Sequence, residues 1–198
     1  MWRQLRIVWE KQFIPRAWRR AGGVLIPKEK VSSDLSQFLL NVEGKIFFSV
    51  VAQRLASYLE RNSLIDTAVQ KAGIPGFAGC LEHTSMIWHQ IQTAKSEKKY
   101  LYVIFLDLAN AFGSVPHSLI WKAFDYSRVP AIVVNLIRAY FQDIRLCLST
   151  AGFTTGSQRL EIRIMAGCTS SPLAFTMTME IIIRASKWVV GAERQRMA

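Results

Sequence analysis

Cysteine is scarce in this 198-residue chain. Cys80, Cys147 and Cys168 form an odd, widely spaced set. Together with a charged N-terminus that shows no targeting peptide, that set excludes a disulfide-stapled secreted scaffold. It points to a reducing, intracellular setting. His83 and His89 lie near Cys80, but no second ligand pair follows at zinc spacing, so the three read as ordinary residues. Acidic side chains are also few: 14 Asp and Glu stand against 25 Lys and Arg, a net charge of +11. Such a balance suits a polyanionic partner, or only keeps the chain in solution. No long unbroken apolar run exists. The most apolar window, residues 164–183, is interrupted by Gly167, Pro172, Glu180 and several hydroxyl side chains, which argues against a membrane span. There are no repeats and no low-complexity segment. What is present is a 51% hydrophobic content, enough to bury a core, in a length that fits one domain or one plus an appendage.

The positive charge is unevenly placed. Residues 1–30 hold eight basic against two acidic side chains, over half the net charge. Trp2, Trp9, Phe13 and Trp18 are interleaved there with Arg3, Arg6, Arg16, Arg19 and Arg20. Mixed cations and aromatic rings suit a phosphate backbone with stacked bases. An amphipathic helix with core tryptophans and solvated arginines accounts for them equally well.

Pro15 ends any first helix, and Val24-Leu25-Ile26, between Gly22-Gly23 and Pro27, reads as a strand. Residues 31–37 read as polar loop. From Val42 to Leu59, Ile46, Phe47, Val50, Val51, Leu55 and Leu59 recur at helical spacing. The glycines at 73, 76 and 79 break the chain before a helix over 81–94. Tyr100 to Leu106 is a continuous apolar run rich in β-branched and aromatic residues, so the pattern predicts a buried strand closed by Asp107. Helices are predicted over 117–126 and 131–141, strands over 144–149 and 159–165, and a last helix from Pro172 to about Val190.

A carboxylate directly after an apolar run is costly to bury unless it is paired or binds a metal. At a strand's C-terminal end Asp107 can reach a divalent cation, or it can cap the next helix; spacing alone does not choose.

The surrounding residues resemble the first catalytic motif of reverse transcriptases of non-LTR retrotransposons: Phe105-x-Asp107, Ala111-Phe112 and Ser114-Val115-Pro116-His117. Three further segments are similar to that family in order and spacing. Trp18 to Lys28, with Gly22-Gly23-Val24-Leu25-Ile26-Pro27-Lys28, resembles its fingers strand. Phe38 to Phe47, continuing to Arg54-Leu55, resembles its following helix. Ala166-Gly167-Cys168-Thr169-Ser170-Ser171-Pro172-Leu173-Ala174-Phe175 resembles its Gly-x-x-x-Ser-Pro-x-x-Phe motif. The resemblance covers roughly residues 18–185.

It implies an α+β fold, the fingers and partial palm of a right-hand polymerase, with helices packed on a small antiparallel sheet and no thumb. Residues 1–17 would be a basic N-terminal helix, 18–99 a fingers-like region and 100–198 the partial palm. The implied activity is RNA-templated DNA synthesis from a DNA primer and deoxynucleoside triphosphates, assisted by two Mg2+ or Mn2+ ions. Asp107 would bridge the metals and the Leu108 carbonyl would be an adjacent ligand. Phe112, with Ala111, would lie beneath the incoming sugar and leave no room for a 2′-hydroxyl; without the family it reads equally as a core aromatic. Gly167 would let backbone approach the nucleotide or template. Lys28 would be a fingers cation, and Arg16, Arg19 and Arg20 would contact nucleic acid.

The chain departs from the family pattern in three places. It contains no Asp-Asp pair, so the aromatic-x-Asp-Asp turn that supplies the remaining metal ligands is missing. An Arg-x-Ile-Ser insertion expected between Gln37-Phe38 and Leu39-Leu40 is absent, and with it an arginine for the triphosphate. Ala166 replaces a frequent Gln. The resemblance therefore implies a chain truncated before the second carboxylate pair and inert by itself, with an uncovered apolar face where the missing hairpin would pair. The competing expectation is a non-catalytic nucleic-acid-binding remnant of a retroelement.

Overall fold

The computed structural model describes residues 2–24, 37–74, 76–109, 111–149, 153–159, 164 and 167–196. Helix α1 spans Trp2–Lys11 and a 3-10 turn spans Arg16–Arg19, with Pro15 between them. Strand β1 (Arg20–Val24) contains Gly22 and Gly23 rather than starting after them. Leu25 and Ile26 of the expected strand, Lys28, and positions 31–36 of the expected loop lie outside the described residues. A Cβ on Gly23 would collide with the Leu148 side chain and sit 3.2 Å from Leu146 Cδ1, so neighbouring side chains occupy that space.

Strand β2 (Gln37–Leu40) corrects the expectation that the segment from Phe38 is already helical, and that Gln37 is loop. Helix α2 (Val42–Arg61) begins only after Asn41, whose side-chain oxygen accepts from the Gly44 amide at 3.1 Å. Its buried stripe is Phe47, Val51, Leu55 and Leu59, as expected, with Phe48 and Ala56 added; Ile46 and Val50 are exposed.

Helix α3 (Cys80–Ser96) follows a long connection and buries no residue. Beyond a four-residue turn of helix, α4 (Ala111–Ser114), come α5 (His117–Tyr126) and α6 (Ala131–Phe141), both at the expected limits. Pro116 and Pro130 occupy the positions just before them, where a missing N–H costs nothing. Strand β3 (Arg145–Ser149) matches its prediction, whereas β4 is only Gln158–Arg159. Of the rest of the expected 159–165 strand, Ile164 is a buried bend and the others lie outside the described residues. Helix α7 (Ser171–Arg196) runs past the expected end at Val190.

The four strands form one sheet in the order β2-β1-β3-β4. It is mixed, not antiparallel as the resemblance implied: β1 pairs β3 in parallel, while β1–β2 and β3–β4 are antiparallel. The chain between β1 and β3 includes five helices, long enough for the crossover that a parallel pair requires. Leu40, Ala21 and Leu146 align across three strands and are buried. That face meets one hydrophobic core built from α2, α5, α6 and α7. Within it Trp18, Phe47, Phe48 and Tyr140 form a chain of ring contacts, the closest being Phe48 on Tyr140 at 4.2 Å. Gly44 packs beneath Trp18, where a Cβ would stand a tight 3.3 Å from the Trp18 Cβ, and the Trp18 Nε1–H donates to Glu43 at 3.1 Å.

The largest correction concerns Tyr100 to Leu106. This segment is neither a strand nor buried: residues 101–108 have no regular structure, and Tyr100, Tyr102, Ile104 and Leu106 are 93%, 88%, 84% and 90% exposed. Its composition is that of a core strand, but no described strand pairs with it. A lone strand leaves its backbone groups unpartnered and its apolar face wet, so it does not form by itself.

Candidate active site

Two of the sequence motifs meet. Phe112 on α4 is half-buried and meets Phe175 of α7 edge-to-face, with centroids 5.1 Å apart at 75°. Edge-to-face contact of this kind is a favourable aromatic geometry. The four-residue α4 is fixed from behind by buried Val115 and by the start of α5, which packs along α7. Ala111 is half-buried beside Phe112.

The turn before α7 is built for close backbone approach. Gly167 has φ +84° and is exposed, a left-handed conformation that disfavours any side chain there. Cys168, Ser170 and Ser171 behind it are buried. Cys168 Sγ lies 3.1 Å from Ser170 Oγ, and burial, with the Cys168 sulfur nearby, pushes the Tyr140 phenol well above its ordinary range. The exposed Thr169 hydroxyl donates to the Lys45 carbonyl at 3.3 Å, tying this turn to α2. Gly73, at φ +72°, places the α2–α3 connection against Pro172, and Thr176 donates to Ala72 O at 3.3 Å.

Sequence reasoning missed the group that holds α7 in place. Glu180 is 2% exposed, one turn beyond Thr176, and accepts from the Asp66 amide (3.0 Å), Gln70 Nε2 (2.7 Å) and Arg184 Nε (2.7 Å). Arg184 also donates to Ser63 O at 3.0 Å and to the Tyr126 hydroxyl at 3.3 Å. Nearby, the Lys187 ammonium hydrogen-bonds Asp66 and holds that carboxyl below the usual carboxylate range. The signal in the sequence was an acid inside an otherwise apolar helical stretch, Met177 to Ile183, followed four residues on by an arginine.

Asp107 is not assembled into this arrangement. It and Leu108 lie on the exposed, unpaired segment, and no group of three or more His, Cys, Asp or Glu suited to a metal occurs among the described residues. A two-metal site needs several carboxylate ligands at close quarters. The donor set present, one exposed carboxylate and a backbone carbonyl, does not fit it. The three expected nucleic-acid arginines divide. Arg16 and Arg20 are exposed, while Arg19 is half-buried and faces Asp143 at 3.6 Å. The aromatic residues of the first segment divide as well: Trp18 is core, Trp9 half-buried, Trp2 and Phe13 exposed. Among the described residues no helix is long and apolar enough to cross a membrane.

Comparison with known proteins bears on the fold and on these motifs together. Residues 26–189 match the family described as reverse transcriptase (RNA-dependent DNA polymerase). The chain is 28% identical over 188 residues to the retrovirus-related Pol polyprotein from type-1 retrotransposable element R2 of Nasonia vitripennis. That alignment covers 91% of this chain and 18% of the relative. It is 24% identical over 176 residues to a probable RNA-directed DNA polymerase from transposon BS of Drosophila melanogaster, covering 84% of this chain and again 18% of the relative. The chain thus spans less than a fifth of the length of these curated relatives. The match to the family model takes in every motif from Ile26 to Phe175, and on that evidence the chain belongs to the reverse transcriptase (RNA-dependent DNA polymerase) family.

Proposed function

We propose that the chain contributes the fingers (18–99) and part of the palm (100–198) of a non-LTR retrotransposon reverse transcriptase, behind a basic N-terminal segment (1–17) that holds α1. Its work would be RNA-templated DNA synthesis from a DNA primer and deoxynucleoside triphosphates. The observation that carries this reading is the Phe112–Phe175 contact, which joins the first motif to the Gly-x-x-x-Ser-Pro-x-x-Phe motif although 63 residues separate them. In this reading Phe112 is the floor under the incoming sugar, held upright by Phe175. Ala111 leaves space beside it, and Gly167 admits backbone to the nucleotide or template.

Divalent metal is what the family uses, and Asp107 with the Leu108 carbonyl would be this chain's contribution. Because the described donors do not form a two-metal site, no chemical step is assigned to the chain alone. The segment carrying Asp107 gains a defined position only by pairing with another strand, and an aromatic-x-Asp-Asp hairpin would bring both the pairing edge and the lacking carboxylates.

Fusing the chain to a relative's downstream hairpin and thumb tests this. Primer extension on an RNA template is expected, lost with Asp107→Asn. Replacing Phe112 with Val should admit ribonucleotides by removing the ring under the sugar. Extension that persists in Asp107→Asn would remove the metal assignment, and unchanged sugar discrimination in Phe112→Val would remove the floor. Asp107 stands alone on an exposed segment, which also favours the second reading, a nucleic-acid-binding remnant without chemistry. In that case RNA binding survives Asp107→Asn while the fusion does not extend.

A further inference from the structure

The register of the sheet sets three arginines side by side. Arg20 of β1 aligns with Arg145 of β3, and Arg145 aligns with Arg159 of β4. Directly aligned residues on neighbouring strands project from the same face, and strands lie about 4.8 Å apart, so three guanidinium groups are anchored within about 10 Å. All three are exposed, on the face opposite the buried Leu40–Ala21–Leu146 row. Arg19 adjoins the row, and its Nε is buried with no partner among the described residues.

Asp143 is the only carboxylate that any of these arginines reaches among the described residues, and it is shared. It lies 3.6 Å from Arg19 and 3.4 Å from Arg145. Arg159 instead donates to the Gln142 carbonyl at 2.8 Å, a contact that neutralises nothing. Arg20 has no ion pair among the described residues. Like charges directly opposite in a sheet are unfavourable, and neutral or opposite-charge residues at these positions would relieve the cost. A ligand that binds only the folded chain and supplies negative charge offsets it.

We infer that the Arg20–Arg145–Arg159 row, with Arg19 at its side, is a docking strip for a nucleic-acid phosphodiester backbone. A polymer is favoured over a lone phosphate because the cations form a line across three strands rather than a cup. Guanidinium forks suit successive phosphate oxygens, and a backbone contact of this kind positions without reading sequence. The inference deepens the polymerase reading, since the ligand is the template or primer strand, but it does not depend on catalysis.

The test uses the full chain with fluorescent single-stranded RNA, an RNA–DNA hybrid and a deoxynucleoside triphosphate, each titrated across salt concentrations. Arg20→Gln and Arg145→Gln should each lower the slope of log affinity against log salt by about one and weaken polymer binding several-fold at low salt. Arg20→Gln should not lower Tm, because it removes repulsion, and Arg145→Gln should leave Tm nearly unchanged, because its exposed pair with Asp143 contributes little. Arg20→Lys and Arg145→Lys should retain the slope. Arg128→Gln, at the α5–α6 turn, removes the same charge elsewhere and should leave the slope unchanged. Unchanged binding by the row variants would overturn the strip. So would an equal loss in Arg128→Gln, which would mean net charge alone, a loss accompanied by a lowered Tm, or tighter binding of the triphosphate than of the polymer. Failure of the fusion to extend a primer would remove the polymerase reading and leave the strip standing; equal binding by the row variants would do the reverse.

Discussion

Glu180 shows how much one side chain can organise. Its carboxylate is inside the core, where an unpaired charge is costly; two of its hydrogen bonds join α7 to the connection after α2, and the third, from Arg184, lies within α7. Glu180→Ala is expected to cost about 2–4 kcal/mol, because the Asp66 amide and Gln70 lose their acceptor and Arg184 its counter-charge. Arg184→Ala should cost less, since that side chain is 39% exposed and water can replace it. Urea denaturation midpoints of the two variants check the order. A larger loss for Arg184→Ala would mean that the surface half of the network holds the helix. Asp107 and Phe112 were singled out through the resemblance, because each sits in a motif of neighbouring residues. The role of Glu180 was not legible, since its partners outside α7 lie 110 and 114 residues away in sequence.

Among the elements, the helices were the most legible. Those over 117–126 and 131–141 follow from apolar periodicity and a preceding proline, signals contained within each segment. Strands were read less well. The 100–106 run has a strand's composition, yet a strand exists only through its neighbour, and none of the described strands supplies one. This yields a sharp expectation. Ile104→Pro should change stability by no more than about 0.5 kcal/mol, the range of surface substitutions, because no ladder hydrogen bond is lost. Val51→Ala in α2 should cost about 2 kcal/mol by opening the core. Thermal unfolding of both variants decides; an Ile104→Pro loss as large as that of Val51→Ala would mean that the segment is paired in solution.

At the scale of the whole molecule, the same segment leaves Tyr100, Tyr102, Ile104, Phe105 and Leu106 together on the surface. Contiguous apolar surface of this kind mediates association or marks a site of assembly. The isolated chain should bind a hydrophobic dye and self-associate in sedimentation. Replacing Ile104 and Leu106 with Lys should suppress both without lowering Tm. A monodisperse wild-type chain that excludes the dye would contradict the exposed arrangement.

The sequence by itself determined the helices, the order and spacing of the motifs and, through them, the family. These depend on residues close in the chain, whose pattern is the physical cause of the local structure. Only the tertiary structure decided the rest. It made β1 and β3 parallel neighbours, which aligned Arg20 with Arg145 and turned scattered positive charge into a row. It set Phe112 against Phe175, and Glu180 beneath the α2–α3 connection. It left the Asp107 segment without a partner among the described strands. Each of these turns on which distant segments meet, and hydrophobic content states only that a surface must be covered, not which surface covers it.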